Sequence, residues 1–305
     1  MKKKLLILAG GFSREREISL ITAKSVFKEI NENYITKICE PDGDLTKTLR
    51  AFKPDVVFNA LHGRYGEDGY IQAILESEKI KYTHSGVLSS AVAIDKEISK
   101  KIFLKNNILT PKYFKFKFNE RIIEKKLIKK VEKKLGFPVV IKPFNEGSSV
   151  EVYICNKKNL KKNLLKLSSY KEVMIEEYIG GREIQVAIMG KRKLGAIELV
   201  PKRKFYDYEA KYNSKSNTKH LIPVNIKKDY LHQAMNIAYK AHKIIGCKGV
   251  TRSDFKFHNN KFYLLEINTQ PGMTNLSLVP EIARYHDISF KNLIEWIIRD
   301  ASINR

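Results

Sequence analysis

Apolar and polar residues change their spacing several times along this chain, and each change marks an element. Residues 5–9 are apolar without a break, and Gly10-Gly11 and a charged segment follow at once. A short unbroken apolar run ended by glycine predicts a strand buried on both faces. Over residues 17–30 the apolar positions Ile18, Ile21, Val26, Phe27 and Ile30 follow the spacing of one helix face. Residues 55–60 then read as a strand, 71–77 as a helix and 80–84 as a short strand. Strands alternating with helices predict an open parallel sheet covered on both faces. Ligands bind such sheets beyond the carboxyl ends of the strands, here the loops 10–16 and 62–69.

A helix over about 95–107 leads into a second region. It holds a strand at 112–118, a lysine-rich helix, a strand at 138–143, a hairpin, a helix near 160–168 and a strand at 173–177. From Gly181 the pattern is β-rich, with strands at 184–189 and 193–199. A polar loop at 206–218, a long helix over about 227–245 and a hairpin of strands 250–257 and 261–267 complete it.

The last hairpin, SDFKFHNNKFYLLEIN, carries the strongest chemical signal. Period-2 alternation predicts that Phe255, Phe257, Tyr263, Leu265 and Ile267 share the apolar face. Asp254, Lys256, Glu266 and Asn268 then share the other. With an odd number of loop residues, Asp254 lies opposite Glu266. Opposed carboxylates repel, and a cation between them removes the cost. Asp, Glu and Asn offer hard oxygens that suit Mg²⁺. A solvated sheet face with two acids is the competing reading.

Mg²⁺ held by few protein oxygens usually shares its shell with phosphates, so a phosphate cradle is expected nearby. The chain has no G-x-x-x-x-G-K-[ST] and no G-x-G-x-x-G. What remains is KPFNEGSSVEVY, with Lys142 at the entry and a small Gly147-Ser148-Ser149 tip. Small tip residues let backbone N–H groups approach phosphate oxygens. An ordinary turn fits this stretch equally well.

Composition narrows the partners. The chain has 305 residues, 43% hydrophobic and 30% charged, which suits a globular protein with a large core. No apolar run approaches the ~20 residues of a membrane helix, and residues 5–9 fall short of the ~7–15 of a signal-peptide core. Three distant cysteines, Cys39, Cys155 and Cys247, form no C-x-x-C, which argues against a disulfide framework or zinc site. A reducing, cytoplasmic setting is expected. The net charge of +24 raises the possibility of nucleic acid. Lysines are however spread along polar helix faces without interleaved aromatics, so neither nucleic acid nor a membrane is the expected partner.

Read together, the motifs resemble the D-alanine–D-alanine ligase family of the ATP-grasp superfamily, over nearly the whole chain. They are Gly10-Gly11-x-Ser13-x-Glu15-Arg16-Glu17-x-Ser19, His62-Gly63-x-x-Gly66-Glu67-Asp68-Gly69, Asp95-Lys96, Lys142-Pro143, Glu146-Gly147-Ser148-Ser149-Val150 and Glu176-Glu177-Tyr178-Ile179. Tyr206-Asp207-Tyr208-Glu209-Ala210-Lys211-Tyr212, Arg252-x-Asp254, Glu266-x-Asn268-Thr269-x-Pro271-Gly272-Met273-Thr274 and Ser277-Leu278 follow in the family's order. The resemblance implies an α/β fold in three units: an N-terminal open parallel sheet over 1–95 that binds substrate, a central ATP-grasp unit over 96–180, and a C-terminal catalytic unit over 181–305, the last two with antiparallel sheets.

It also implies roles. ATP phosphorylates one D-alanine, and a second D-alanine attacks the resulting acyl phosphate. Asp254, Glu266 and Asn268 hold two Mg²⁺, for which Mn²⁺ is a substitute. Lys96 and Lys142 contact the α- and β-phosphates, and Lys211 reaches the transferred group. Glu176 and the backbone of Glu177, Tyr178 and Ile179 bind adenine, and Glu183 binds the ribose. Gly147, Ser148 and Ser149 cover the phosphates. Glu15 takes the first substrate's ammonium and links with Ser148 and Tyr212, and His62 contacts its carboxylate. Arg252 and the Gly272 N–H stabilise the oxyanion, and Ser277 and Leu278 take the second substrate. The family implies a homodimer.

Some readings stay open here. In the family's pattern Tyr212 goes with an amine and not D-lactate as second substrate, with a D-alanine–D-lactate or other ATP-grasp carboxylate–amine ligase as the alternative. A non-catalytic nucleotide- or nucleic-acid-binding protein is the other class. Glu67 and Asp68 fit helix caps as well as site residues. Glu151, Thr251 and Phe144 depart from the family pattern, and strand alternation predicts that Glu151 points to solvent.

Overall fold

The computed structural model describes residues 2–41, 44–118, 124–147, 151–201 and 218–305. The first sheet is built from β1 (Lys4–Leu8), α1 (Arg16–Ile30), β2 (Ile35–Cys39), α2 (Leu45–Phe52), β3 (Val56–Asn59), α3 (Tyr70–Ser77) and β4 (Lys81–Tyr82). Its strands are parallel in the order β2-β1-β3-β4. Period-2 alternation splits β1 between two cores. Leu5 and Ile7 face α1, while Leu6 and Leu8 meet Leu45 and Leu49 of α2 and Leu75 of α3. That double burial is why residues 5–9 are apolar throughout.

Helices α4 (Val87–Ile94) and α5 (Lys96–Lys105) follow. Asp95 caps α5, its Oδ1 accepting from Glu97 N at 2.9 Å and Ile98 N at 3.0 Å. A second sheet comprises β5 (Tyr113–Lys117), β6 (Val139–Lys142), β7 (Tyr153–Cys155) and β8 (Glu172–Glu177), antiparallel in the order β5-β8-β6-β7. Helices α6 (Glu124–Lys134) and α7 (Leu160–Lys166) complete this region. The expected hairpin is present as the β6–β7 pair.

The third sheet holds β9 (Arg182–Met189), β10 (Arg192–Val200), β11 (Lys219–Leu221), β12 (Val250–His258) and β13 (Lys261–Asn268), antiparallel in the order β11-β10-β9-β12-β13. Helix α8 (Lys228–Ile245) sets Ala234, Ala238, Ala241 and Ile245 against Ile184, Phe255 and Leu264. The other sheet face, through Ala187, Met189 and Ile197, joins Leu5 and Phe58 of the first sheet and the helices α9 (Leu278–Tyr285) and α10 (Phe290–Asp300). The chain end thus returns to the first sheet, and Ser302 bridges to Tyr82. β2, α2, α4, β11 and the last two helices were not among the elements expected from sequence, although α2, α9 and α10 each carry a clear apolar stripe.

One register expectation is corrected. The β12–β13 turn has two residues, Asn259 and Asn260, both at positive φ, so the loop is even. Asp254 still pairs with Glu266 because the register shifts next to it: Phe255 pairs with Leu264, leaving Leu265 as the extra residue. The apolar face of β13 is therefore Phe262, Leu264 and Ile267, and Tyr263 and Leu265 are only half-buried. Leu264 is fully buried. Leu264→Ala should lower stability by roughly 2–5 kcal/mol, read as a shifted urea midpoint with an unchanged denaturant slope.

Candidate active site

In the first sheet the chain order reverses between β1 and β3, and the loops leaving these two strands open a crevice. Ser13 ties the loops together: its Oγ donates to the His62 carbonyl at 2.6 Å and accepts from Glu15 N at 3.1 Å. Glu15 is buried. A Cβ on Gly147 would stand 2.9 Å from Glu15 Oε2, so the glycine allows this approach from the central region.

His62 Nδ1 is 3.1 Å from Glu67 Oε1, and its Nε2 is 3.3 Å from Thr22 Oγ1. Burial opposes charge on His62, but the bond and charge of Glu67, with Glu15, outweigh it and raise the imidazole. Burial also raises Glu67. The Glu67-Asp68 pair divides its work. Asp68 accepts from Tyr65 N at 3.2 Å and Tyr70 N at 3.1 Å, holding the turn into α3, while Glu67 faces the crevice.

A cavity of about 270 Å³ lies here. Of the residues expected from sequence, it is lined by Glu15, His62, Lys96, Gly147, Arg252, Glu266, Asn268, Gly272, Ser277 and Leu278. Glu67, which the sequence left open between helix cap and site residue, also lines it, as do Glu146 and His220, to which the sequence assigned no role. His220 comes from β11, a strand too short to show a period, and its Nδ1 sits 2.7 Å from Glu281 Oε2.

The carboxylates of the last hairpin already carry protein cations. Arg252 holds Asp254 in a two-point pair, Nε–Oδ1 2.7 Å and Nη2–Oδ2 2.9 Å. Lys96 Nζ lies 3.2 Å from Glu266 Oε2 and donates to the Glu146 carbonyl at 2.6 Å. Asn268 Oδ1 accepts from Gln270 N at 2.8 Å. Among the described residues no group of three or more His, Cys, Asp or Glu is disposed to hold a metal. The donor set here is two carboxylates and an amide, all hard oxygens. It fits Mg²⁺ that completes its shell with water and phosphate.

A second cluster lies outside the cavity lining. Glu176, on β8, is buried between two lysines: Lys100 Nζ at 2.5 Å from Oε1, and Lys142 Nζ on Oε2. Burial works against the carboxylate, yet the two charges win and lower it. Burial pushes Lys100 down to about 8, with Glu176 opposing. Glu183 pairs with Lys256 at 2.9 Å across β9 and β12. Glu177 N donates to Lys112 O at 2.8 Å, Ile179 is buried, and Tyr178 stands between them. Ser148, Ser149, Lys211 and Tyr212 lie outside the described residues, as do Tyr206 and Tyr208.

The departures from the family pattern have structural partners. Thr251 is fully buried and its Oγ1 is 2.8 Å from His242 Nδ1. The Phe144 ring lies 5.1 Å from Lys115 Nζ. Glu151 corrects the solvent-facing expectation. Its Oε2 accepts from the Tyr170 hydroxyl at 2.5 Å, and Oε1 pairs with Arg14 at 3.3 Å. Its φ is +56°, a left-handed conformation that favours glycine. Alternation failed because the chain turns at this residue and does not extend. Cys247 is buried, its thiol pushed up to about 12, and is no nucleophile.

Two family models match this chain: D-ala D-ala ligase N-terminus over residues 40–85 and D-ala D-ala ligase C-terminus over residues 102–299. A D-alanine–D-alanine ligase of Pelagibacter ubique (strain HTCC1062) is 67% identical over 306 residues, all of both chains. The chain belongs to the D-alanine–D-alanine ligase family. The Wolbachia pipientis wMel member is 44% identical over 97% of this chain and 94% of its own. The crystal structure of D-alanine–D-alanine ligase from Bacillus anthracis matches with a TM-score of 0.86 at 32% identity, over 98% of this chain and 97% of that one. The structure of the same ligase complexed with ATP matches at 0.84 and 31%, with the same coverage. The parallel first sheet and the two antiparallel sheets are thus the ATP-grasp architecture of D-alanine–D-alanine ligases.

At Glu151 of this family member, alanine should prove less stable than glycine by about 1 kcal/mol, because only glycine escapes the left-handed penalty. Thermal unfolding of Glu151→Ala and Glu151→Gly checks the order. Equal midpoints would mean that residue 151 is not held at positive φ.

Proposed function

We propose that this chain joins two D-alanine molecules to D-alanyl-D-alanine with ATP, supplying a precursor of the peptidoglycan cell wall. Family membership over the whole chain supports the activity. The observation that carries the site is the opposed Asp254–Glu266 pair, with Arg252 beside it and Lys96 on Glu266.

The carboxylate of the first D-alanine attacks the γ-phosphorus of ATP and ADP leaves, giving D-alanyl phosphate. The amine of the second D-alanine then attacks the carbonyl carbon. The oxyanion collapses, phosphate leaves, and the amine gives up its extra proton. Phosphoryl transfer demands in-line positioning and neutralised charge more than covalent help. Bound Mg²⁺, as two ions with Mn²⁺ as a substitute, supplies that neutralisation. Asp254, Glu266 and Asn268 would hold it, and Arg252 and Lys96 are the cations that exchange partners as it binds.

Glu15 receives the first ammonium and His62 its carboxylate. Arg252, released from Asp254, and the Gly272 N–H face the oxyanion, where directed donors act most strongly. Ser277 and Leu278 take the second substrate. Lys96, Lys142 and the Gly147–Ser149 tip serve the phosphates. Glu176 and the 177–179 backbone serve the adenine, Glu183 the ribose, Lys211 the transferred group, and Tyr212 the link to Glu15. Closing these groups over the acyl phosphate keeps out the water that would hydrolyse it. The setting is the cytoplasm, the protein acts as a homodimer, and neither nucleic acid nor a membrane is its partner. Among the described residues no helix is long and apolar enough to cross a membrane.

Protein incubated with ATP, Mg²⁺ and D-alanine should release phosphate and form the dipeptide, with D-lactate a poor second substrate. Asp254→Asn and Glu266→Gln should each cut kcat by roughly 10²-fold or more. Full turnover in both variants would remove the metal assignment. Failure to form a dipeptide with any D-amino acid would remove the function.

A further inference from the structure

Among the described residues Lys100 is the most deeply buried lysine near the site. It is fully buried, one helical turn beyond Lys96 on α5. Residues four apart on a helix project the same way. Lys96 reaches Glu266 and the Glu146 carbonyl, while Lys100 reaches Glu176 and donates to Thr110 Oγ1 at 2.6 Å. The Tyr113 ring lies 5.8 Å from its amine.

The charges around Glu176 do not balance. Two ammonium groups, Lys100 and Lys142, share one carboxylate, and all three residues are buried. An unmatched buried cation is costly, so one lysine is poised for a second anion. Lys142 has some exposure, with 9% of its side chain accessible, and it ends the strand that enters the glycine tip. Lys100 has none and is tethered by Thr110. Lys142 is therefore the one that can leave for a phosphate, and Lys100 the one that stays. Lys100 holds Oε1 of Glu176 and Lys142 holds Oε2, so the departure of Lys142 frees Oε2 for a donor from a ligand while Lys100 keeps its own oxygen.

We propose that Lys100 is a positioning residue for the nucleotide base. It is the fixed counter-charge of Glu176, keeping the carboxylate ionised and aimed at the exocyclic amine of adenine once Lys142 turns to phosphate. This rests on the reading that Glu176 receives the adenine. Lys100 touches no reacting atom and acts through Glu176 alone.

The test compares ATP with inosine triphosphate, which carries a carbonyl in place of that amine. Lys100→Met should raise the KM for ATP roughly tenfold, the scale of one charge-assisted contact. It should also reduce the preference for ATP over inosine triphosphate. The KM for D-alanine and kcat should change far less. Lys100→Arg keeps the charge and should recover most of the ATP preference. A Lys100→Met variant that raises the KM for both substrates alike, or lowers only kcat, would overturn the inference.

Glu176→Gln separates the two claims. Unchanged base preference in Glu176→Gln would reject the adenine reading itself. Base preference lost in Glu176→Gln but kept in Lys100→Met would reject the role of Lys100 alone. Should Lys100→Met fail to fold, Lys100→Met/Glu176→Gln removes both members of the pair. Its base preference should equal that of Glu176→Gln, and any further loss would show that Lys100 acts by another route.

Discussion

Two carboxylates meet across β12 and β13, and much of the structure around them answers that repulsion. Asp254 and Glu266 are register partners only because the ladder slips beside them, with Leu265 as the additional residue. The slip turns Leu264 and Phe262 into the core and leaves the acids at the site end of the hairpin. Arg252 clamps one acid from its own strand, and Lys96 reaches the other from α5. Opposed like charges destabilise a sheet unless a cation lies with them. A hairpin built this way needs cations, and the protein supplies one to each acid, Arg252 to Asp254 and Lys96 to Glu266.

The same scheme recurs at Glu176. Lysines from α5 and β6 converge on one acid from β8. Helix α5 thus places one amine at each carboxylate centre, Lys96 at Glu266 and Lys100 at Glu176. Its capped start at Asp95 fixes where those amines point. Both centres depend on a single helix that follows the first sheet and packs beside the third, where Phe103 shares a core with Phe255 and Leu264.

A shared core gives these contacts a rigid base. The last two helices return to the first sheet, so Leu5, Phe58, Ile197, Val279 and Ile294 lie in one cluster. Gln270 extends the link by donating to the Leu61 carbonyl from the end of β13. The crevice between the β1 and β3 loops is thereby closed on its far side by residues more than 200 positions away.

The fold class and the strands with strong apolar runs were legible in the sequence, as was the candidacy of Glu15, Lys96 and Glu266, which the structure brings to one cavity. Local spacing sets strand and helix, and β1 reads as buried because both its faces are. The sequence also determined which chemistry is on offer, since hard oxygens at Asp254, Glu266 and Asn268 do not depend on folding. Tertiary structure alone decided the partners. Nothing local distinguishes Glu67 from Asp68, and only the packing turns one to His62 and the other to its own turn. Glu151 looked solvent-facing by alternation, yet a left-handed turn swings it to Tyr170 and Arg14. The parity of the last hairpin came from a slip that no turn sequence announces. Charge pairing, close approach and register are settled by groups distant in the chain, and a one-dimensional pattern carries no record of which of them will meet.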